Sequence, residues 1–171
     1  MAVCPEGAIK ETGRELGIIQ KGFFNGLEFV HGKLRVGEAM SPPLIREVRA
    51  FSRDDKITII DAPPGTSCPV IASMKDADFV LLVTEPTPFG LHDLKLAVGA
   101  VKLLGIPCGL VINRSDIGDR KVKALPILME IPFNRKIAEA YSRGEMIVEI
   151  MPEFKEKFVK LYQDVKELVN S

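Results

Sequence analysis

Apolar residues along this chain follow two rhythms. Ile57-Thr-Ile-Ile60, Phe79-Val-Leu-Leu-Val83, Gly109-Leu-Val-Ile112 and Ile127-Leu-Met129 are short, nearly unbroken runs that read as strands. Between them the spacing becomes helical. A helix is predicted around Val70 to Met74, and a long one after Thr87-Pro88, carrying Leu91, Leu94, Val98, Val101 and Leu104 on one face. Upstream, Ser41-Pro42-Pro43 is a good helix start for Leu44, Ile45, Val48 and Phe51. The first forty residues are rich in turns. There Leu27-Glu-Phe-Val30 and Lys33-Leu-Arg-Val36 flank His31-Gly32, which predicts a hairpin with its turn at those two residues. Near the end, Glu139-Ala-Tyr-Ser-Arg-Gly144 reads as a helix stopped by Gly144.

Unbroken apolar strands separated by amphipathic helices predict an α/β fold, a mostly parallel sheet with helices on both faces. In such sheets ligands sit beyond the carboxyl ends of the strands. Those ends are unusual here: Asp61-Ala-Pro-Pro-Gly65, Thr84-Glu-Pro-Thr-Pro-Phe-Gly90, Asn113-Arg-Ser-Asp116 and Ile131-Pro-Phe-Asn134. Each carries polar or rigid residues where a strand would hand over to a helix.

Composition narrows the class. At 171 residues and 46% hydrophobic content the chain can bury a proper core. Lys+Arg and Asp+Glu stand at 23 each, so no global field calls for nucleic acid or an anionic membrane. The three cysteines, Cys4, Cys68 and Cys108, are too scattered for a secreted disulfide framework. With no signal peptide and no membrane-spanning run, the chain reads as cytoplasmic. His31 and His92 lie in separate segments and suggest no zinc site.

An aspartate ending an apolar strand, as Asp61 does, suits a hydrated Mg²⁺ beside a polyphosphate; a strand-capping Asp before an ordinary turn is the alternative. Pro63-Pro64 restricts the exit, and Gly65 lets backbone approach a phosphate. Asn113 can donate to and accept from a base, while the same tetrapeptide also reads as a turn opened by Asn and closed by Asp116. Asn113-Arg-Ser-Asp116 is a loosened form of the N-K-x-D guanine motif. A companion D-x-x-G would need glycine where Pro64 stands, which weighs against a GTPase.

Taken jointly, Asp61-Ala-Pro-Pro-Gly-Thr-Ser-Cys-Pro69, Thr84-Glu-Pro-Thr-Pro-Phe-Gly-Leu-His-Asp-Leu-Lys95, Val111-Ile-Asn-Arg114 and Ile131-Pro-Phe-Asn-Arg-Lys-Ile-Ala-Glu-Ala-Tyr-Ser-Arg-Gly144 resemble the MinD/ParA superfamily of deviant P-loop ATPases. The branch they resemble most has a ferredoxin domain inserted after the P-loop half. The resemblance implies a P-loop NTPase-like fold and ATP with Mg²⁺ as ligands. It makes Asp61 the catalytic acid that holds Mg²⁺ through water, and Gly65 the sensor of the γ-phosphate. It gives Asn113 to adenine, and Pro132 and Phe133 to the wall of the base pocket. In complete form such a protein couples ATP to iron–sulfur or redox chemistry.

The G-x-x-x-x-G-K-[ST] loop that holds phosphates in this superfamily does not occur in the sequence. Met1-Ala-Val-Cys-Pro5 looks like the tail of a ferredoxin cluster motif, with Cys4 its last ligand. One cysteine does not hold a 4Fe–4S cluster, so a cluster is implied by the family and not expected in this chain. Residues 1–10 thus read as the remnant of a ferredoxin-type insert, 11–40 as a hairpin and turn-rich connection, and 41–171 as the C-terminal part of the ATPase domain, lacking its first strand and P-loop. Alone, the chain is expected to bind nucleotide weakly or not at all and to be inactive. Expected partners are a P-loop-containing chain or a second copy, with self-association through an open sheet edge. The alternative is a non-catalytic partner-binding module on the same fold. Two further expectations concern local structure. The crossover between Asn113 and Ile131, using Asp119-Arg-Lys-Val-Lys-Ala-Leu125, must have an abbreviated helix, because a full crossover needs at least about 10–12 residues. The C-terminal helix, with Phe154, Phe158, Leu161, Tyr162, Val165, Leu168 and Val169 at helical spacing and mixed charges elsewhere, is expected to pack on the sheet and not to anchor in a membrane.

Overall fold

The computed structural model describes residues 13–118 and 125–170, in two units that divide between Ala62 and Pro63. The ferredoxin remnant expected at 1–10, with Cys4, lies outside the described residues, as does most of the crossover at 119–124.

In the first unit, strand β1 (Gly17–Phe24) pairs antiparallel with β2 (Leu27–Leu34). The hairpin expected around His31-Gly32 does not form: residues 27–30 and the start of its second arm belong to the single strand β2, whose partner is β1. His31 and Gly32 pair with Gln20 and Ile19 inside the ladder. The turn between β1 and β2 is Asn25-Gly26, with φ of 48° and 82°. A two-residue hairpin turn matching the strand twist needs positive φ at both positions, and Asn-Gly supplies it most cheaply. Gly32 has a different task. Helix α1 (Pro42–Arg49) closes over the ladder so tightly that a Cβ at Gly32 would sit 2.8 Å from Leu44 Cγ and 3.0 Å from Val48 Cγ2. Glycine here lets a helix approach a strand, where the sequence reading saw a reversal.

Residues 57–60 form no strand. Ile57 and Ile59 are 71% and 91% exposed, and no described strand pairs with them. A β-branched run favours extended chain, but a strand exists only with a neighbour to take its N–H and C=O groups.

The second unit is built on a three-stranded parallel sheet in the order β3 (Val80–Thr84), β4 (Cys108–Asn113), β5 (Ile127–Ile131). Side chains alternate across β4, and each side has its own helical layer. Leu110 and Ile112 meet Leu94 and Val98 of α3 (Pro88–Leu104). Beside them, Val101 packs with Val70 and Met74 of α2 (Cys68–Met74). On the other face Val111 and Met129 meet Phe154 and Phe158 of α6 (Glu153–Val169), with Ile137 of α4 (Arg135–Ser142) and Ile147 of α5 (Ile147–Ile150) at the margin. Phe154 is 2% exposed, so the C-terminal helix does pack on the sheet. Burying such a ring contributes about 1.5–3 kcal/mol. The helix layers on both faces and the parallel sheet match the fold predicted above.

Helix ends follow their local chemistry. Thr87 Oγ1 accepts the Gly90 N–H at 3.1 Å and opens α3, and Gly105 at φ 69° closes it. Asn134 Oδ1 accepts the Lys136 N–H at 2.9 Å and opens α4. Gly144, at φ 75°, follows α4 as expected. Among the described residues no helix is long and apolar enough to cross a membrane.

Candidate functional site

All three strands of the second unit point their carboxyl ends the same way, so the loops after them meet along one edge. Each loop is tied to the next. The loop after β4 starts at Asn113, which is half-buried, and turns sharply at Arg114, a non-glycine residue with φ 51°. That conformation costs about 1–2 kcal/mol for a residue with a Cβ. It persists because its neighbours are held. The Ser115 N–H donates to the Ile131 carbonyl at 3.0 Å. Asp116 Oδ1 accepts the Phe133 N–H at 2.5 Å. The two bonds bracket Pro132, which has no N–H to offer.

Arg114 also links the outer loops. Its Nε lies 3.4 Å from Glu85 Oε1 at the end of β3, and its guanidinium lies 5.6 Å from the centroid of the Phe133 ring after β5. Both partners of the ion pair are substantially exposed, so the pair contributes little to stability and mainly sets direction. Gly118 completes the join. At φ 111° it lies so close to the loop after β3 that a Cβ would sit 2.1 Å from the Pro86 carbonyl oxygen. Thr84 seals the same end, donating from Oγ1 to the Gly90 carbonyl at 2.9 Å.

Three of the residues singled out from sequence, Asn113, Pro132 and Phe133, therefore lie on one rim. Phe133 shows 49% of its surface to solvent there. Gly65 precedes α2 in the same unit with φ 95° and open space around a Cβ, a conformation suited to glycine. Asp61 belongs to the first unit, exposed and outside any helix or strand. Sequence reading gave Asp116 the closing of a local turn. The turn is present at 114–116, and the Asp116 side chain in addition reaches 17 residues on to Phe133, a distance at which no local pattern announces a partner. Arg114 and Gly118 were not singled out at all. A glycine two residues past the tetrapeptide was the available signal.

Among the described residues no group of three or more His, Cys, Asp or Glu side chains is arranged to hold a metal ion. Cys68 is exposed. Cys108 opens β4 at the opposite end of the sheet from the rim, and burial pushes its thiol up, with Lys102 pulling slightly the other way.

No family model matches the sequence. Among solved structures, the fold superposes on the crystal structure of the Pyrococcus furiosus cell division ATPase MinD with a TM-score of 0.61 and 29% identity, over 74% of this chain and 59% of that one. In fold the chain is MinD-like. Similar curated proteins come from Methanocaldococcus jannaschii. One uncharacterized protein is 38% identical over 130 residues, 75% of this chain and 47% of its own length. A second is 27% identical over 158 residues, 91% of this chain and 56% of its own. An iron-sulfur cluster carrier protein is 29% identical over 133 residues, 65% of this chain and 46% of its own. The MinD-like chain spans about half the length of the curated relatives it matches.

Proposed function

We propose that this chain is the C-terminal portion of a MinD-like ATP-binding ATPase whose complete form serves iron–sulfur or redox chemistry. The observation that carries the reading is the rim: Asn113, Pro132 and Phe133 come from different strand ends of a parallel sheet and meet where such sheets bind ligands. Similarity to a MinD ATPase and to an iron-sulfur cluster carrier protein supports it.

The residues present fit the base side of a nucleotide better than its phosphate side. Asn113 offers a donor and an acceptor to adenine, and Pro132 with Phe133 forms an apolar wall. Asp61 would hold Mg²⁺ through water and act in hydrolysis, with Gly65 beside the γ-phosphate. The lysine-bearing glycine loop that grips the β- and γ-phosphates is not in this sequence. A P-loop-containing chain, or a second copy, would complete the grip. The outer side of β3 is a fitting place for it, because among the described residues β3 pairs only with β4, and its Leu81 and Val83 are 38% and 64% exposed. A 4Fe–4S cluster takes four thiolates and this sequence has three cysteines, so Cys4 would contribute only as part of a larger set.

Calorimetric titration with Mg–ATP and a phosphate-release assay test the reading. The chain alone is expected to give weak or no binding and no turnover. Joined to a segment carrying G-x-x-x-x-G-K-[ST], it is expected to bind ATP, and Asn113→Ala to weaken that binding about tenfold, the loss of one hydrogen-bonded contact. Brisk hydrolysis by the pure chain, or an Asn113→Ala variant of unchanged affinity, overturns it. The second reading, a partner-binding module, rests on the same open β3 edge and predicts partner binding that Mg–ATP does not alter. A GTPase is a third and weaker reading, since the carboxylate of Asp116 is already engaged.

A further inference from the structure

We propose that Asp116 is a positioning residue: it fixes Phe133 as a rigid stacking platform and does not itself read a base. The inference rests on the nucleotide reading and names how its base side is built. In an N-K-x-D arrangement the aspartate carboxylate must be free to accept two N–H groups from guanine. Here Oδ1 of Asp116 accepts the backbone N–H of Phe133 instead. A bond to a charged acceptor is roughly twice as strong as a neutral one.

Phe133 follows Pro132 directly, and proline cannot anchor its own position by an N–H. The anchors come from the neighbouring loop, Ser115 on the residue before the proline and Asp116 on the residue after it. Arg114, in a left-handed conformation just before them, reaches the Phe133 ring from one side while paired with Glu85. Consecutive residues 114, 115 and 116 thus meet, in that order, the ring, the Ile131 carbonyl before Pro132, and the backbone N–H of Phe133. The backbone is tied on both sides of Pro132, and the ring, with Arg114 near it, is half-exposed. A fixed aromatic surface of that kind takes a planar ligand face to face. On the nucleotide reading that ligand is the purine, and discrimination between purines falls to Asn113.

Two substitutions separate a positioning carboxylate from a base-reading one. Asp116→Asn keeps an oxygen able to accept the Phe133 N–H, and Asp116→Ala removes it. In the ¹⁵N-labelled full chain, Asp116→Ala is expected to speed amide exchange at Phe133 by about ten- to hundredfold and to move its proton resonance upfield. Asp116→Asn is expected to stay near the parent on both counts. Amides of Val101 and Leu110, in the core away from the rim, report that each variant is folded. Unchanged exchange at Phe133 in Asp116→Ala overturns the proposal.

Adenosine, guanosine and xanthosine are then titrated against the Phe133 resonances. A carboxylate that reads guanine predicts a switch from guanosine to xanthosine in Asp116→Asn, because the carboxamide offers a donor where xanthine has a carbonyl. That switch also overturns the proposal. Should the exchange pattern hold while no nucleoside moves Phe133 even in the parent joined to a segment carrying G-x-x-x-x-G-K-[ST], Asp116 remains the positioner of Phe133 and the nucleotide reading is what fails.

Discussion

Gly118→Ala is the sharpest test of how the rim is joined. A Cβ at this position meets two obstacles together. The residue stands at φ 111°, where an L side chain is disfavoured by about 1–2 kcal/mol. The new carbon would also lie 2.1 Å from the Pro86 carbonyl oxygen. Ordinary C···O contact begins near 3.3 Å, so the two loops must part by about 1 Å. Overpacking of this kind costs about 1–3 kcal/mol, which brings the sum to about 2–5 kcal/mol if the loop stays. Escape is no cheaper. A loop that swings away from Pro86 strains the bonds from Ser115 to Ile131 and from Phe133 to Asp116, about 1 kcal/mol and about 1.5–3 kcal/mol respectively. Both routes therefore predict a loss of at least about 2 kcal/mol. In urea unfolding this lowers the midpoint by about 1 M at constant slope. Gly99→Ala is the control, since Gly99 lies inside α3 with nothing within 4 Å of a Cβ and should gain about 0.5–1 kcal/mol. A Gly118→Ala midpoint equivalent to less than about 0.5 kcal/mol of change refutes the close approach of the two loops.

Phe154→Ala should cost the second unit about 3–5 kcal/mol, a large part of a typical total of about 5–15 kcal/mol, read by the same urea titration; a loss under about 1 kcal/mol would mean α6 is not part of the core. Cys68 should be alkylated by iodoacetamide well before Cys108, because the first is exposed and burial raises the pKa of the second. Cys108 loses its proton later in the folded chain than in the unfolded one. The stability it adds is therefore present below the ordinary thiol value of 9.0 and declines as pH rises above it. Equal labelling rates by peptide mass spectrometry at neutral pH would refute the difference.

What the sequence made legible follows from how far each structural cause reaches along the chain. α3 could be read nearly residue by residue, since its cap at Thr87, its apolar face and its closing glycine are all local. β4 could be read because a strand buried on both faces must be apolar throughout. Gly32 was misread because its reason lies in Leu44 and Val48, more than ten positions away, while Asn25-Gly26 already carried the stronger turn signal. Ile57-Thr-Ile-Ile60 has the composition of a strand, and composition says nothing of whether a partner is beside it. At the rim, the individual residues Asn113, Pro132 and Phe133 stood out for their chemistry at strand ends. The bonds that gather them run between loops and leave no periodic trace.

One property of β4 has a mechanical consequence for this edge. Its central residues Leu110, Val111 and Ile112 are 0%, 4% and 2% exposed, clamped by a helical layer on either side. The turn carrying Arg114, Ser115 and Asp116 is therefore mounted on a strand packed from both faces. β3, by contrast, is half bare on one face. Any give in the rim as a ligand enters or leaves should be sought at Glu85 and Pro86, with the central turn serving as the fixed jaw.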